Sequence, residues 1–286
     1  MLSCSRRGRY AAAAIVAAAL AAVGCTTSPN TGGGGQSGSA GSSVGAAQAI
    51  KLAASHAQRV TSFAADLNVQ TTGTEAMSIS GTMEEQSQPS LLLVMKYASF
   101  SLQGQAVPGG IQEIINSSDI YLKMAQLSRL SGKPWIKMPL SGISKASGVN
   151  LSQLFQQAQN NNPLVQTRML ASSTNVRKAG TATIDGVQTT EYTGSYPLSA
   201  GLAKLPADLR AKIAPQMQAM GLGPSETFKI WLDNQQQVRK LITSNRGSQE
   251  QATSTIQVTS INQPVSVTLP PASQTATVPA SALNNG

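Results

Sequence analysis

A period of two in the apolar residues, interrupted by a few helical stretches, constrains this chain most. Phe63, Ala65, Leu67 and Val69 alternate with Ala64, Asp66, Asn68 and Gln70, and Met77, Ile79 and Met83 alternate with Ser78, Ser80, Thr82 and Glu84. Apolar residues at every second position lie on one side of an extended backbone, so both segments read as half-buried strands of an antiparallel sheet. "SLLLVMKYASFSLQG" reads as two more strands, "IQEIINSSDIYLKM" as a hairpin with its polar break at Asn116 to Asp119, and "KPWIKM" as the next strand. In "TATIDGVQTTEYTG" the pair Asp185-Gly186 stands between two alternating arms and predicts a tight hairpin, whose central residues need positive φ. Another hairpin is expected around Asp233-Asn234 in "TFKIWLDNQQQVRKLITS", and then the strands "ATSTIQVTSI" and "PVSVTLP".

Helical spacing appears in three places. Ile50, Ala53, Ala57 and Val60 share one face of a helix expected over 46–62. Leu151, Leu154, Phe155 and Ala158 repeat the pattern, which restarts at Pro163 and runs through Leu164, Arg168 and Leu170. In "LPADLRAKIAPQMQAMG", Leu209, Ile213, Met217 and Met220 fall on one side, and Pro215 should kink or split the helix. With Gly201, Gly221 and Gly223 as hinge points, this segment is expected to cover the open face of the sheet. Strands with helices set between hairpins place the chain in the α+β class.

The first residues address the chain to export. Arg6, Arg7 and Arg9 precede an apolar run from Tyr10 to Val23. That run is shorter than the roughly 20 residues a bilayer-spanning helix needs, so it reads as a cleaved signal. It ends in Ala22-Val23-Gly24-Cys25, close to the lipobox in which the cysteine thiol is lipidated and becomes the mature N-terminus, although Leu is usual where Ala22 stands. An ordinary signal-peptidase site fits the same small residues but leaves Cys25 as a lone exported thiol. Arg6-Arg7 gives a weak hint of twin-arginine export, because the apolar residues that normally follow such a pair are missing. Cys4 leaves with the signal, so the mature chain forms no internal disulfide and its own core must stabilise it. From Thr26 to about Gly45 the chain is small and polar, a flexible tether holding the folded part about 25 Å from its anchor.

Charge and side-chain inventory narrow the function. Removing Arg6, Arg7 and Arg9 from the net charge of +9 leaves +6, dispersed with no basic run. That excludes a nucleic-acid patch and suits either solubility or an anionic membrane surface. His56 is the only histidine, so a zinc site or a nucleophile–histidine pair has almost no ligands to draw on. Glu84-Glu85, the only adjacent acids, are expected in solvent at a strand end. No phosphate loop, nucleophile elbow or dinucleotide fingerprint is present. Two distant carboxylates of the glycosidase kind are the catalytic arrangement the sequence leaves open.

Cys25 with its tether, "DIYLKM" followed by "KPWIKM", "TIDGVQTTEYTGS", "FKIWLDNQQQVRKLITS" and "INQPVSVTLPPAS", in that order, resemble the LppX/LprG-type lipoproteins of actinobacteria. The resemblance implies a LolA-like fold, a curved antiparallel half-barrel with helices covering its concave face, which holds acyl chains of lipids or glycolipids between sheet and helices. On the side-chain inventory above, no enzyme activity, cofactor or metal is expected. The partners the resemblance implies are a lipid ligand, the membrane through lipidated Cys25, and an envelope transporter or acceptor protein, for a chain that is a monomer on the outer face of the cell membrane.

The expected organisation is a signal peptide over 1–24, lipidated Cys25 and tether over 25–45, a lipid-binding domain over 46–274 and a flexible tail over 275–286. The expected cavity wall is Leu67, Val69, Met77, Ile79, Met83, Leu91 and Leu93 from the sheet, with Ile213, Met217 and Met220 from the covering helix. A densely packed core of the same residues is the plainer reading of the pattern. A non-catalytic envelope sensor or partner-binding module is the alternative function, and an enzyme ranks third.

Overall fold

The computed structural model describes residues 45–73, 76–147, 166–203, 211, 223–248 and 250–278. Cys25, the signal, the tether, most of the helical pair before Leu170, and the covering segment with Ile213, Met217 and Met220 lie outside the described residues. What is described is organised by one sheet. Its strands are β1 (Ser62–Thr72), β2 (Met77–Gln86), β3 (Leu92–Leu102), β4 (Gln105–Ala106), β5 (Ile111–Asn116), β6 (Asp119–Met124), β7 (Trp135–Pro139), β8 (Arg177–Ile184), β9 (Val187–Pro197), β10 (Ser225–Leu232), β11 (Val238–Arg246), β12 (Gln251–Ile261) and β13 (Thr275–Thr277). The spatial order is β13-β7-β6-β5-β3-β2-β1-β12-β11-β10-β9-β8, with β4 on β3. All pairs are antiparallel except β13 with β7, and the two end strands do not meet, so the sheet is open.

Local chemistry sets the hairpins. Asp185 and Gly186 both take positive φ, 48° and 78°, as the turn between β8 and β9 requires. In the β10–β11 loop Asp233 is 4% exposed. Its Oδ1 accepts the backbone N–H groups of Gln235 and Gln237, both at 2.9 Å, while its Oδ2 takes Arg239 Nε at 2.9 Å. The carboxylate thus replaces backbone partners the loop lacks.

Helix α1 (Ala46–Ala57) buries Ala49, Ile50, Ala53 and Ala57. Those residues share one apolar cluster with Phe63 and Ala65 of β1, Phe228 and Ile230 of β10, and Leu170 of α4 (Gln166–Leu170), and Met138 of β7 packs against it half-buried. Laid flat, the strands from β7 to β10 would span about 40 Å at about 4.8 Å each. A 12-residue helix is about 18 Å long. One contiguous cluster beneath it therefore requires the sheet to curl around the helix, which gives the concave face.

Several expectations change. The first helix stops at Ala57, not 62, and the chain turns at Gln58 and Arg59 to enter β1. "SLLLVMKYASFSLQG" is one strand, not two: the register steps from Ser80↔Ser99 to Gly81↔Tyr97, leaving Ala98 as an extra residue. Such a bulge switches the buried parity from Leu93, Met95 and Tyr97 to Phe100, which on paper resembles a chain break. Helices α2 (Ala125–Ser131), α3 (Leu140–Ser147) and α5 (Leu198–Leu202) are each too short for a periodic signal.

"PVSVTLP" is not a strand. It runs as an extended strap over the convex face, where Val267 packs on Val94, Ile114 and Tyr121. Part of the expected tail is ordered, because Thr275–Thr277 pair with Trp135–Lys137 and the Val278 N–H donates to the Lys137 carbonyl at 3.0 Å.

Candidate functional site

The strand registers stack inner-face side chains into rows across the sheet. One row reads Val258, Ala65, Met83, Met95, Glu113, Leu122, Ile136. The row beside it reads Phe63, Glu85, Leu93, Ile115, Ile120, Met138, and on the other side lie Leu67, Gly81, Tyr97, Ile111 and Met124. The concave face is thus an apolar surface with two carboxyls and one phenol set into it.

Burial decides the state of those groups. Glu113 is 1% exposed and Glu85 7%. Removing a carboxylate from water disfavours its charge, and that loss of hydration pushes Glu85 up to about 8 and Glu113 up to about 7. A hydrogen bond from the Tyr97 phenol counters part of the rise at Glu113. Burial and the adjacent Glu113 in turn push the phenol up. The Tyr97 hydroxyl also lies 3.3 Å from Met95 Sδ, and Glu113 Oε2 has no hydrogen-bond partner among the described residues.

The sheet residues expected to line the site are brought together. Ile79, Met83, Leu91 and Leu93 are buried in the main cluster, and Leu67, Val69 and Met77 pack on it half-buried. Glu85 departs from the expectation of a solvated pair. Glu84 faces out, 3.8 Å from Lys96, whereas Glu85 shares the parity of Met83 and must face in. Sequence reasoning passed over Glu113 and Tyr97. Both are in phase with neighbours that mark the inner face, Glu113 with Ile111 and Ile115, Tyr97 with Leu93 and Met95, and that phase is the signal that could have found them.

The convex face is different in kind. Lys123 lies over the Trp135 ring at 5.9 Å and Lys137 over Tyr121 at 5.6 Å, and Lys137 also pairs with Asp119 at 3.0 Å. A depression of about 350 Å³ follows the row Thr82, Lys96, Gln112 and Lys123 there. His56 and Arg59 border a second depression, of about 310 Å³, with Gln235, Gln237 and Asn262. Among the described residues no group of three or more His, Cys, Asp or Glu is placed to hold a metal ion, and no helix is long and apolar enough to cross a membrane.

No protein-family model matches the chain. An uncharacterized 31.2 kDa protein of Streptomyces griseus is 27% identical over 130 residues, which span 44% of this chain and 42% of that protein, so the match covers less than half of the relative. LprF from Mycobacterium bovis superposes with a TM-score of 0.50 over 79% of this chain and 96% of its own, at 12% identity. The Mycobacterium tuberculosis lipoprotein LppX gives 0.45 over 78% and 97%, at 18% identity. With the open antiparallel sheet, its concave apolar face and the helices packed there, this chain has the LolA-like fold of the LppX/LprG-type lipoproteins.

Proposed function

We propose that the protein is a lipid-anchored extracytoplasmic lipoprotein that takes acyl chains of a lipid or glycolipid between its concave sheet face and its helices, and carries or transfers them in the cell envelope. The observation that carries this reading is the breadth of the inner face: three adjacent rows across the centre of an LprF-like sheet, apolar but for Glu85, Glu113 and Tyr97. Met83, Met95, Met124 and Met138 belong to those rows, and unbranched thioether side chains adapt to a flexible aliphatic guest. The proposed wall takes Leu67, Val69, Met77, Ile79, Met83, Leu91 and Leu93 from the sheet, while Ile213, Met217 and Met220, expected to complete it, lie outside the described residues. No step of this activity needs a nucleophile, a metal or a cofactor. The protein acts as a monomer, loaded by and delivering to an envelope transporter or acceptor.

Protein purified without detergent is expected to yield an acyl lipid on organic extraction and mass spectrometry. Leu67→Trp, at a half-buried position of the inner face beside Ile256 and Gly81, should cut that yield several-fold with little change in melting temperature, because the added ring displaces guest and not protein. In a dense core the same change costs about 1–3 kcal/mol by overpacking. Lipid-free protein that binds no acyl chain, and whose Leu67→Trp variant melts far lower, would sink the reading and favour a partner-binding module.

Anchoring has its own test. Cys25→Ser should move the protein from the membrane fraction to the soluble one. A diacylglyceryl group supplies two chains at about 0.8 kcal/mol per buried methylene, where one chain holds only marginally. Retention of the variant in the membrane would mean that the segment Tyr10 to Val23 stays on the chain.

A further inference from the structure

The concave face keeps one polar feature that the sheet itself does not use. Glu113 stands in the middle of β5, flanked in its row by Met95 and Leu122 and along its strand by Ile111 and Ile115. At 1% exposure it is shielded from bulk solvent, and its Oε2 has no partner among the described residues, although leaving a buried carboxyl oxygen unpaired costs stability. The neighbouring Tyr97 phenol is turned toward the same point from β3, held between Met95 Sδ and the Glu113 carboxyl. An aliphatic guest on this surface passes a carboxyl oxygen that no described residue satisfies.

We propose that Glu113, positioned with Tyr97, is a hydrogen-bonding subsite inside the apolar site and selects lipids that carry a hydroxyl group on their aliphatic portion. This deepens the proposed function and rests on it. A hydroxyl is the matching group because it both donates and accepts. It receives the proton of a neutral carboxyl and donates to an ionised one, and burial leaves both forms of Glu113 within reach near neutrality. An ester carbonyl only accepts, and a bare methylene chain leaves Oε2 unsatisfied.

The test compares detergent-free binding of stearic acid and of hydroxystearic acids with the hydroxyl near the carboxyl end or at mid-chain, using wild type, Glu113→Leu and Tyr97→Phe. Wild type should prefer one of the hydroxylated acids over stearic acid by about five- to tenfold, as one buried hydrogen bond supplies. Glu113→Leu should lose that preference, bind stearic acid at least as well as wild type, and show a higher urea midpoint because an unpaired polar atom is gone. Tyr97→Phe should weaken the preference without abolishing stearic acid binding. Stearic acid bound with no hydroxyl preference by wild type overturns this inference and leaves the proposed function standing. Preference retained in Glu113→Leu, or a lower urea midpoint in that variant, also overturns it, the latter by showing that the carboxyl holds the fold. Binding of none of the acids overturns both.

Discussion

Glu85→Gln is expected to stabilise the protein by about 4 kcal/mol at pH 9 and to change it little at pH 4. In the unfolded chain this carboxyl loses its proton near the ordinary value of 4.5, whereas burial between Phe63 and Leu93 holds the proton until about pH 8. Below 4.5 the group is neutral in both states and costs nothing by ionisation. As pH rises from there the unfolded chain releases a proton that the folded chain keeps, so stability falls, and the fall ends above about 8. Glu113 acts in the same sense with its window closing near pH 7. The wild type should therefore lose stability most steeply between about pH 5 and 7, where both carboxyls contribute. Glutamine carries no charge at any of these pH values and should flatten the Glu85 share of the curve. Urea midpoints across pH 4 to 9 decide the matter, and parallel wild-type and variant curves would show that Glu85 ionises in contact with water.

Gly81→Val should destabilise by about 3 kcal/mol or more, the range reached when a side chain is forced into backbone. Gly81 lies opposite the bulge at Ala98, and a Cβ there would collide with the Lys96 carbonyl and sit 2.9 Å from the Tyr97 Cα. Backbone on a paired strand yields only by breaking ladder hydrogen bonds. Because Gly81 and Tyr97 face each other, any variant that does fold should also shift the Tyr97 phenol and lose lipid selectivity before affinity. A chemical denaturation curve superimposable on wild type would mean that the bulge is looser than its register indicates.

Much of the sheet was legible because its cues are local. Asp185-Gly186 and Asp233-Asn234 carry their turn chemistry in two to four residues, and the hairpins stand where those pairs predict. The alternation of Phe63, Ala65 and Leu67 likewise names the inner face of β1. What failed was information that lies elsewhere in the chain. Glu85 keeps the parity of Met77, Ile79 and Met83, yet its charge argued for solvent more strongly than its phase argued for burial. The bulge at Ala98 exists because Gly81, on another strand, admits the backbone of Tyr97. "PVSVTLP" alternates like a strand but finds no ladder partner, since its apolar residues answer to Val94, Ile114 and Tyr121 on the convex face.

The place of β1 in the sheet fixes when folding can finish. On one side it pairs with β2, which follows it directly, but on the other it waits for β12, which comes some 190 residues later. A chain made N-terminus first at about 5–20 residues per second leaves that second edge without its partner for roughly 10–40 s. Throughout that interval Phe63, Ala65 and Leu67 belong to a sheet whose other half has yet to appear, and closing so long a loop is slow in itself. Such an edge invites pairing with other chains. A chaperone that covers this edge until the C-terminal strands arrive should therefore raise the yield of this protein.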